Sequence, residues 1–209
     1  TSMSLMLETI EIDDSDEQAR SLFLPQIRRE LNRMIQLVES LLAIARSESG
    51  ATILDRAVFD LCAAVNEFLV SFEIGAKANG VELCFVGPDS VLIDGDRARI
   101  GQIANNLVEN ALRFTPAGGR IEVSVEREGA DAILRIRDTG SGIPFRDLPH
   151  IFDRFYTADR SRAREHAGAG LGLSIVRNLV EAHGGTVEAA SQLGQGATFT
   201  CRFPAAVQY

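Results

Sequence analysis

The chain has 209 residues, 45% hydrophobic and 24% charged, the composition of an ordinary globular protein long enough for one large domain or two modest ones. Its formal net charge of -8 argues against a general nucleic-acid binder, which carries a basic face. Cys62, Cys84 and Cys201 are odd in number, widely spaced and set in apolar stretches, so they read as reduced core residues with no disulfide framework or metal site, and no segment has the roughly 18 apolar residues of a membrane span or the pattern of a signal peptide; a soluble chain is expected.

The opening "TSMSLMLETI" is apolar with no charged lead-in. Ser15, followed by Asp16, Glu17 and Gln18, has the form of a capping box and predicts a helix start. Ile27, Leu31, Met34, Val38, Leu41 and Ala45 then recur at alternating steps of four and three, a heptad seam narrower than the face of an ordinary globular helix. Such a seam needs a partner: residues 1–12 would supply one as part of an antiparallel hairpin, and a second copy of the chain would complete a four-helix bundle. The alternative is an amphipathic helix lying on the following domain. Pro25 interrupts the pattern early, and the periodicity stops at Gly50, leaving 51–58 as a linker.

From Phe59 the texture becomes alternating elements. Helices are predicted over 60–79, 96–114 and about 171–183, and strands at 81–86, 91–93, 120–128, 131–138, 186–191 and 197–203. Asp94 or Asp96 caps the second helix, and Gly129 and Ala130 mark a hairpin between two alternating strands. An α+β fold, with helices packed on one face of a mixed sheet, is the natural architecture.

Four stretches in this region could carry chemistry. "NNLVENALRFTP" sets Asn106, Asn110 and Arg113 on one face of an otherwise apolar helix; amide oxygens there can ligate Mg2+, or can form a network that fixes helix packing. "DTGSGIP" puts Asp138 at a strand end before a turn whose glycines let a ligand approach the backbone, although many plain turns look the same. "HIFDRFY" and the arginine-rich run after it have the character of a mobile lid or of an ordinary surface loop. "GAGLGLSIV" runs glycines straight into a helix, whose N-terminus favours phosphate; it lacks the Lys-Ser/Thr pair of a P-loop and the preceding strand of a dinucleotide fingerprint, and a flexible hinge is the other reading.

In order, these stretches resemble the N, G1, F and G2 boxes of the sensor histidine kinases, and "GGTVEAASQLGQGATFTCRFP" is similar to the family's closing strands, with Gly194, Gly196, Thr198 and Phe199 matching a G-x-G-x-T-F pattern. The resemblance implies a Bergerat-type α/β sandwich over residues 59–209 that binds ATP and Mg2+ between the N-box helix and a lid. Residues 1–50 would be part of the dimerisation and histidine-phosphotransfer hairpin. It implies that Asp138 accepts a hydrogen bond from the adenine amino group, with Gly140, Gly142 and Ile143 at the same end. Asn110 would coordinate Mg2+ with Asn106 beside it, Arg113 would meet the phosphate tail and Phe114 would cover the nucleotide. Gly168, Gly170 and Gly172 would wrap the phosphates while Leu171 and Leu173 anchor the new helix. Thr157 departs from the pattern where many relatives carry a basic residue aimed at the γ-phosphate; Arg160 and Arg162 are the candidates to replace it.

The resemblance also implies a homodimer joined through the N-terminal helices, a response-regulator receiver domain as partner, a cytoplasmic location, and membrane attachment only through a region outside this chain. The chain's histidines are His150, His166 and His183, and none falls in the N-terminal segment; His183, before two glycines, reads as a helix C-terminal residue favourable to the dipole. "TSMSLMLETI" matches the continuation of the family's H-E-L-R-T-P-L segment, which places the acceptor histidine and its adjacent base about two helical turns before Thr1. The expectation is therefore a chain that binds Mg-ATP without labelling itself. The alternatives are a hydrolytic ATPase of the gyrase, mismatch-repair or chaperone type, whose Glu at the first N-box position is here Asn106, or a degenerate module that dimerises and docks a partner.

Overall fold

A computed structural model describes Phe23 and residues 53–157 and 170–206. The capping box, the heptad seam, Pro25, Gly50, Arg160, Arg162, His166 and Gly168 lie outside the described residues. The chain divides into two units, Thr1–Ser49 and Gly50–Tyr209, and every helix and strand from Ala57 onward belongs to the second.

The second unit begins with β1 (Ala57–Asp60), α1 (Leu61–Ala78), β2 (Glu82–Val86), β3 (Leu92–Gly95) and α2 (Arg97–Phe114). It continues through β4 (Arg120–Glu128), β5 (Asp131–Asp138), a 3-10 turn at Leu148–His150, α3 (Gly172–Ala182), β6 (Thr186–Ser191) and β7 (Ala197–Pro204). The predicted elements from residue 60 onward are present, with ends shifted by one or two residues. Strand β1 is an addition, because Ala57 and Val58 belong to it and not to a linker. Ala57 and Val58 are exposed, Phe59 and Asp60 half-buried, and the strand pairs only with β3, from Ala57 opposite Gly95 to Asp60 opposite Leu92, so no buried alternation announces it.

Five strands form one sheet in the order β2-β4-β5-β7-β6. The β2–β4 pair is parallel, with α2 in the crossover that parallel strands require, and the other pairs are antiparallel. Along β4, β5 and β7 the alternate residues Ile121, Val123, Val125, Ala132, Leu134, Ile136, Phe199, Cys201 and Phe203 are buried on one face. Against that face α2 turns Ile100, Ile103, Ala104, Leu107, Val108 and Ala111, and α3 turns Ile175, Val176, Leu179 and Val180, each at helical spacing. The other face is mostly polar: Glu122 stands opposite Arg137, Ser124 opposite Arg135, and Arg137 opposite Thr198, with Ile133 buried between Glu126 and Arg202.

Helix ends follow their capping chemistry. Asp60 Oδ1 accepts from Cys62 N–H at 3.0 Å to open α1. Between the two candidates for α2 the structure selects Asp96, whose Oδ1 accepts from Arg99 N–H at 3.1 Å, while Asp94 stays in β3. Cys62 and Cys201 are buried free thiols, and burial pushes that of Cys201 up to about 12. Cys84 departs from the core reading, being half-buried on edge strand β2 with Arg120 Nη2 donating to its sulfur at 3.3 Å. Among the described residues no helix is long and apolar enough to cross a membrane.

His183 does occupy the C-terminal end of α3, but its role differs from a charge on the helix dipole. It is 2% exposed, with Nδ1 donating to Leu179 O at 2.7 Å and Nε2 accepting from Asp96 N–H at 3.0 Å. A ring with one donating and one accepting nitrogen is the neutral imidazole. Its edge meets the Phe203 ring at a centroid distance of 5.9 Å, and a Cβ on Gly95 would lie 2.9 Å from its Cδ2. His183 is therefore a buried strut between the end of α3 and the start of α2. Replacing it with alanine is expected to cost about 2–4 kcal/mol, from the cavity and the two stranded backbone groups, read as a lower urea midpoint at unchanged slope.

Candidate functional site

Three chain reversals meet around Asp138: the end of α2, the turn after β5, and the loop between β6 and β7. Asp138 closes β5 and is 5% exposed, with its Oδ1 accepting from Gly140 N–H at 2.8 Å and from Ala197 N–H at 3.2 Å. Two donors on one oxygen leave the second oxygen for a ligand's donor. Burial holds this carboxyl above the ordinary range, against the opposing pull of those two N–H groups.

The surrounding glycines mark close backbone approaches. A Cβ on Gly140 would meet the Phe114 carbonyl oxygen at 2.5 Å, and Ser141 N–H already donates to that oxygen at 3.1 Å. Gly142, at φ +70, abuts the Gln192 carbonyl. Ile143 is half-buried against the core, and its N–H donates to Ser191 Oγ at 2.8 Å. Phe114 is 52% exposed, with the Arg113 guanidinium 5.4 Å from its ring centre.

A second cluster lies about the middle of α2. Asn106 and Asn110 are both half-buried, one turn apart on the helix. Asn106 Nδ2 donates to Gln102 O at 2.8 Å, and a Cβ on Gly172 would stand 3.0 Å from Asn106 Oδ1, so the first turn of α3 is set against this amide oxygen. Leu171, 4% exposed at the N-cap, and the half-buried Leu173 root that turn in the core. Gly170, at φ +68, is packed on the backbone of Phe155 and Tyr156, and Phe155 itself takes φ +62. That left-handed conformation is costly for an aromatic residue and holds the "HIFDRFY" segment against the entry to α3. Thr157 is half-buried just beyond it.

Among the described residues no cluster of three His, Cys, Asp or Glu could hold an ion. The donors present are amide oxygens, which suit a hard cation that keeps waters and takes its other ligands from phosphates. Mg2+ carried in with a nucleotide fits that set; a dedicated protein cage does not.

The structure thus brings Phe114, Asp138, Gly140, Gly142 and Ile143 together at the C-terminal end of α2, and sets Gly172 against Asn106 at the middle of that helix, with Gly170 packed on the segment at 155–156. Two contributors escape a reading of the sequence. Ala197 N–H serves Asp138 from 59 residues away, and its one local signal is the glycine at 196 just before a strand. Ser191 has no signal beyond its place at a strand end.

A five-stranded mixed sheet with its helices on one face, and glycine-hinged turns closing on a buried strand-end aspartate, is the architecture of the Bergerat-type ATP-binding domain. The chain belongs to the family of histidine kinase-, DNA gyrase B- and HSP90-like ATPases, whose sequence profile matches residues 95–207. Within it, the chain carries a catalytic domain of the sensor histidine kinase kind. It is 32% identical over 193 residues to the sensor protein SrrB of Staphylococcus aureus, an alignment that takes in 92% of this chain and 33% of that protein. The chain therefore spans about a third of the length of the curated relatives it matches. Among solved structures it is similar to full-length ShkA in complex with AMPPNP, at 28% identity and a TM-score of 0.78, over 95% of this chain and 41% of that one. It is also similar to histidine kinase ThkA in complex with the response regulator protein TrrA, at 25% identity and a TM-score of 0.71, over 99% and 57%.

Proposed function

We propose that this domain binds Mg-ATP along α2 and presents the γ-phosphoryl group to a histidine of a phosphotransfer helix, from which it passes to a receiver-domain aspartate in a phosphorelay. The observation that carries this reading is the placement of two unlike clusters on one helix. A buried carboxylate with one free oxygen, Asp138, serves the adenine end, and amide oxygens with the glycine-led start of α3 serve the phosphate end. Asn106 and Phe114 are eight residues apart, roughly 12 Å along a helix, a span comparable to an extended nucleotide. Asn110, with Asn106 beside it, would hold Mg2+, which when bound neutralises phosphate charge. Gly168, Gly170 and Gly172 would offer backbone N–H groups to the phosphates, Arg113 would meet the tail, and Phe114 would cover the nucleotide.

The solved relatives bound to AMPPNP and to a response regulator support the nucleotide and the partner. The amide at Asn106 cannot act as a base toward water, which favours transfer over hydrolysis. The N-terminal segment is proposed as the dimerising part, making the assembly a homodimer. Asn110→Ala tests the metal assignment: Mg2+ should strengthen ATP binding to the parent about tenfold or more and add little to the variant, with Mg-free ADP affinity preserved. An undiminished Mg2+ effect in the variant would reject Asn110 as the ligand.

A further inference from the structure

Ser191, the last residue of β6 and the register partner of Ala197, takes none of the proposed nucleotide-binding roles. Its hydroxyl accepts from Ile143 N–H at 2.8 Å and donates to Gly196 O at 2.6 Å. Both partners belong to the loops that frame Asp138. Ile143 ends the turn that starts at Asp138, and Gly196 immediately precedes Ala197, whose N–H donates to Asp138 Oδ1. Backbone contacts also tie these loops, Gly194 N–H to Ser141 O at 2.7 Å and Gly142 against Gln192. Ser191 adds a side-chain bridge that needs a group able to donate and accept at once, which a hydroxyl supplies and a methyl does not.

We propose that Ser191 is a positioning residue for base recognition: by clamping the 138–143 turn to the β6–β7 loop, its hydroxyl keeps Ala197 N–H on Asp138 and so aims the carboxylate's free oxygen at the nucleotide base. The inference rests on the adenine reading of Asp138. Without the hydroxyl, Ile143 N–H and Gly196 O lose their partner, the loops part, and the carboxylate loses one of the two donors that orient it. The loss falls on discrimination of the base, because the phosphate end is built from other elements.

The test compares ADP with inosine diphosphate, which presents a carbonyl acceptor where adenine presents an amino donor, by calorimetry on the 209-residue chain. Ser191→Ala is expected to bind ADP about tenfold more weakly and to lose most of its preference for ADP over inosine diphosphate, while Ser191→Thr, which keeps the hydroxyl, restores both. Should the alanine variant not fold, Ser191→Cys, close in shape but weak in hydrogen bonding, carries the same comparison. A lowered melting temperature with an unchanged ADP preference would make Ser191 a structural residue only and overturn the proposal. Asp138→Ala separates the two failures. If it flattens the preference while Ser191→Ala does not, the adenine reading stands and the Ser191 role falls. If neither variant moves the preference, both fall.

Discussion

Asp138→Ala is expected to weaken ADP binding about a hundredfold at neutral pH, the worth of a charge-assisted hydrogen bond of up to ~3 kcal/mol in a buried site. Calorimetry would read this directly, and unchanged affinity would remove the adenine assignment. Asp138→Asn sharpens the test, because its amide oxygen can still accept from Gly140 and Ala197 while its NH2 faces the base. A donor meeting the adenine amino group should then favour inosine diphosphate over ADP.

The same carboxyl makes stability depend on pH. Burial raises it in the folded state, so the stability it contributes is present below the ordinary carboxylate range and is lost as pH rises through the folded value. At neutral pH the parent keeps a charge that the fold disfavours. Asp138→Asn should therefore resist urea better than the parent at neutral pH, and the gap should close on acidification, when both side chains are neutral. Nucleotide binding to the parent should weaken over that same acid range, as the accepting carboxylate is protonated. A gap that widens toward acid would contradict this linkage.

Gly196→Ala is expected to destabilise the domain by about 3 kcal/mol or more, and to reduce nucleotide binding in whatever fraction still folds. Gly196 sits at φ +84, and a Cβ there would overlap the Asp138 carbonyl and approach Thr139 Cα to 2.9 Å. Gly194, two residues earlier in the same loop, has φ +79 with nothing within 4 Å of its Cβ position. Gly194→Ala thus carries only the backbone cost of the left-handed conformation, about 1–2 kcal/mol. The difference between the two midpoints isolates the steric contact with Asp138. Equal losses would show that backbone strain alone makes Gly196 necessary, and the tight seat of the β6–β7 loop on Asp138 would not matter.

Most elements of the domain were legible because their causes are local. The apolar spacing of Ile100, Ile103, Leu107 and Val108 is that of a helix on a core, and the alternation of Ile121, Val123 and Val125 is that of a half-buried strand. The order of the four motifs pointed to the family for the same reason, since each is a short contiguous signal. Strand β1 was not legible, because only its pairing with β3 defines it.

Sequence alone located the helices and strands other than β1 and marked Asp138, Asn106, Asn110 and the glycine-led α3 as candidate positions for chemistry, since residue type and spacing act over a few neighbours. Tertiary structure decided what those residues meet. Asp138 takes a second donor from Ala197 across 59 positions, Ile143 meets Ser191 across 48, and His183 becomes a neutral buried strut by reaching Asp96 across 87. The first two contacts exist only after the sheet order β5-β7-β6 brings distant strand ends side by side, the third only after the ends of two helices meet, and no local propensity encodes them.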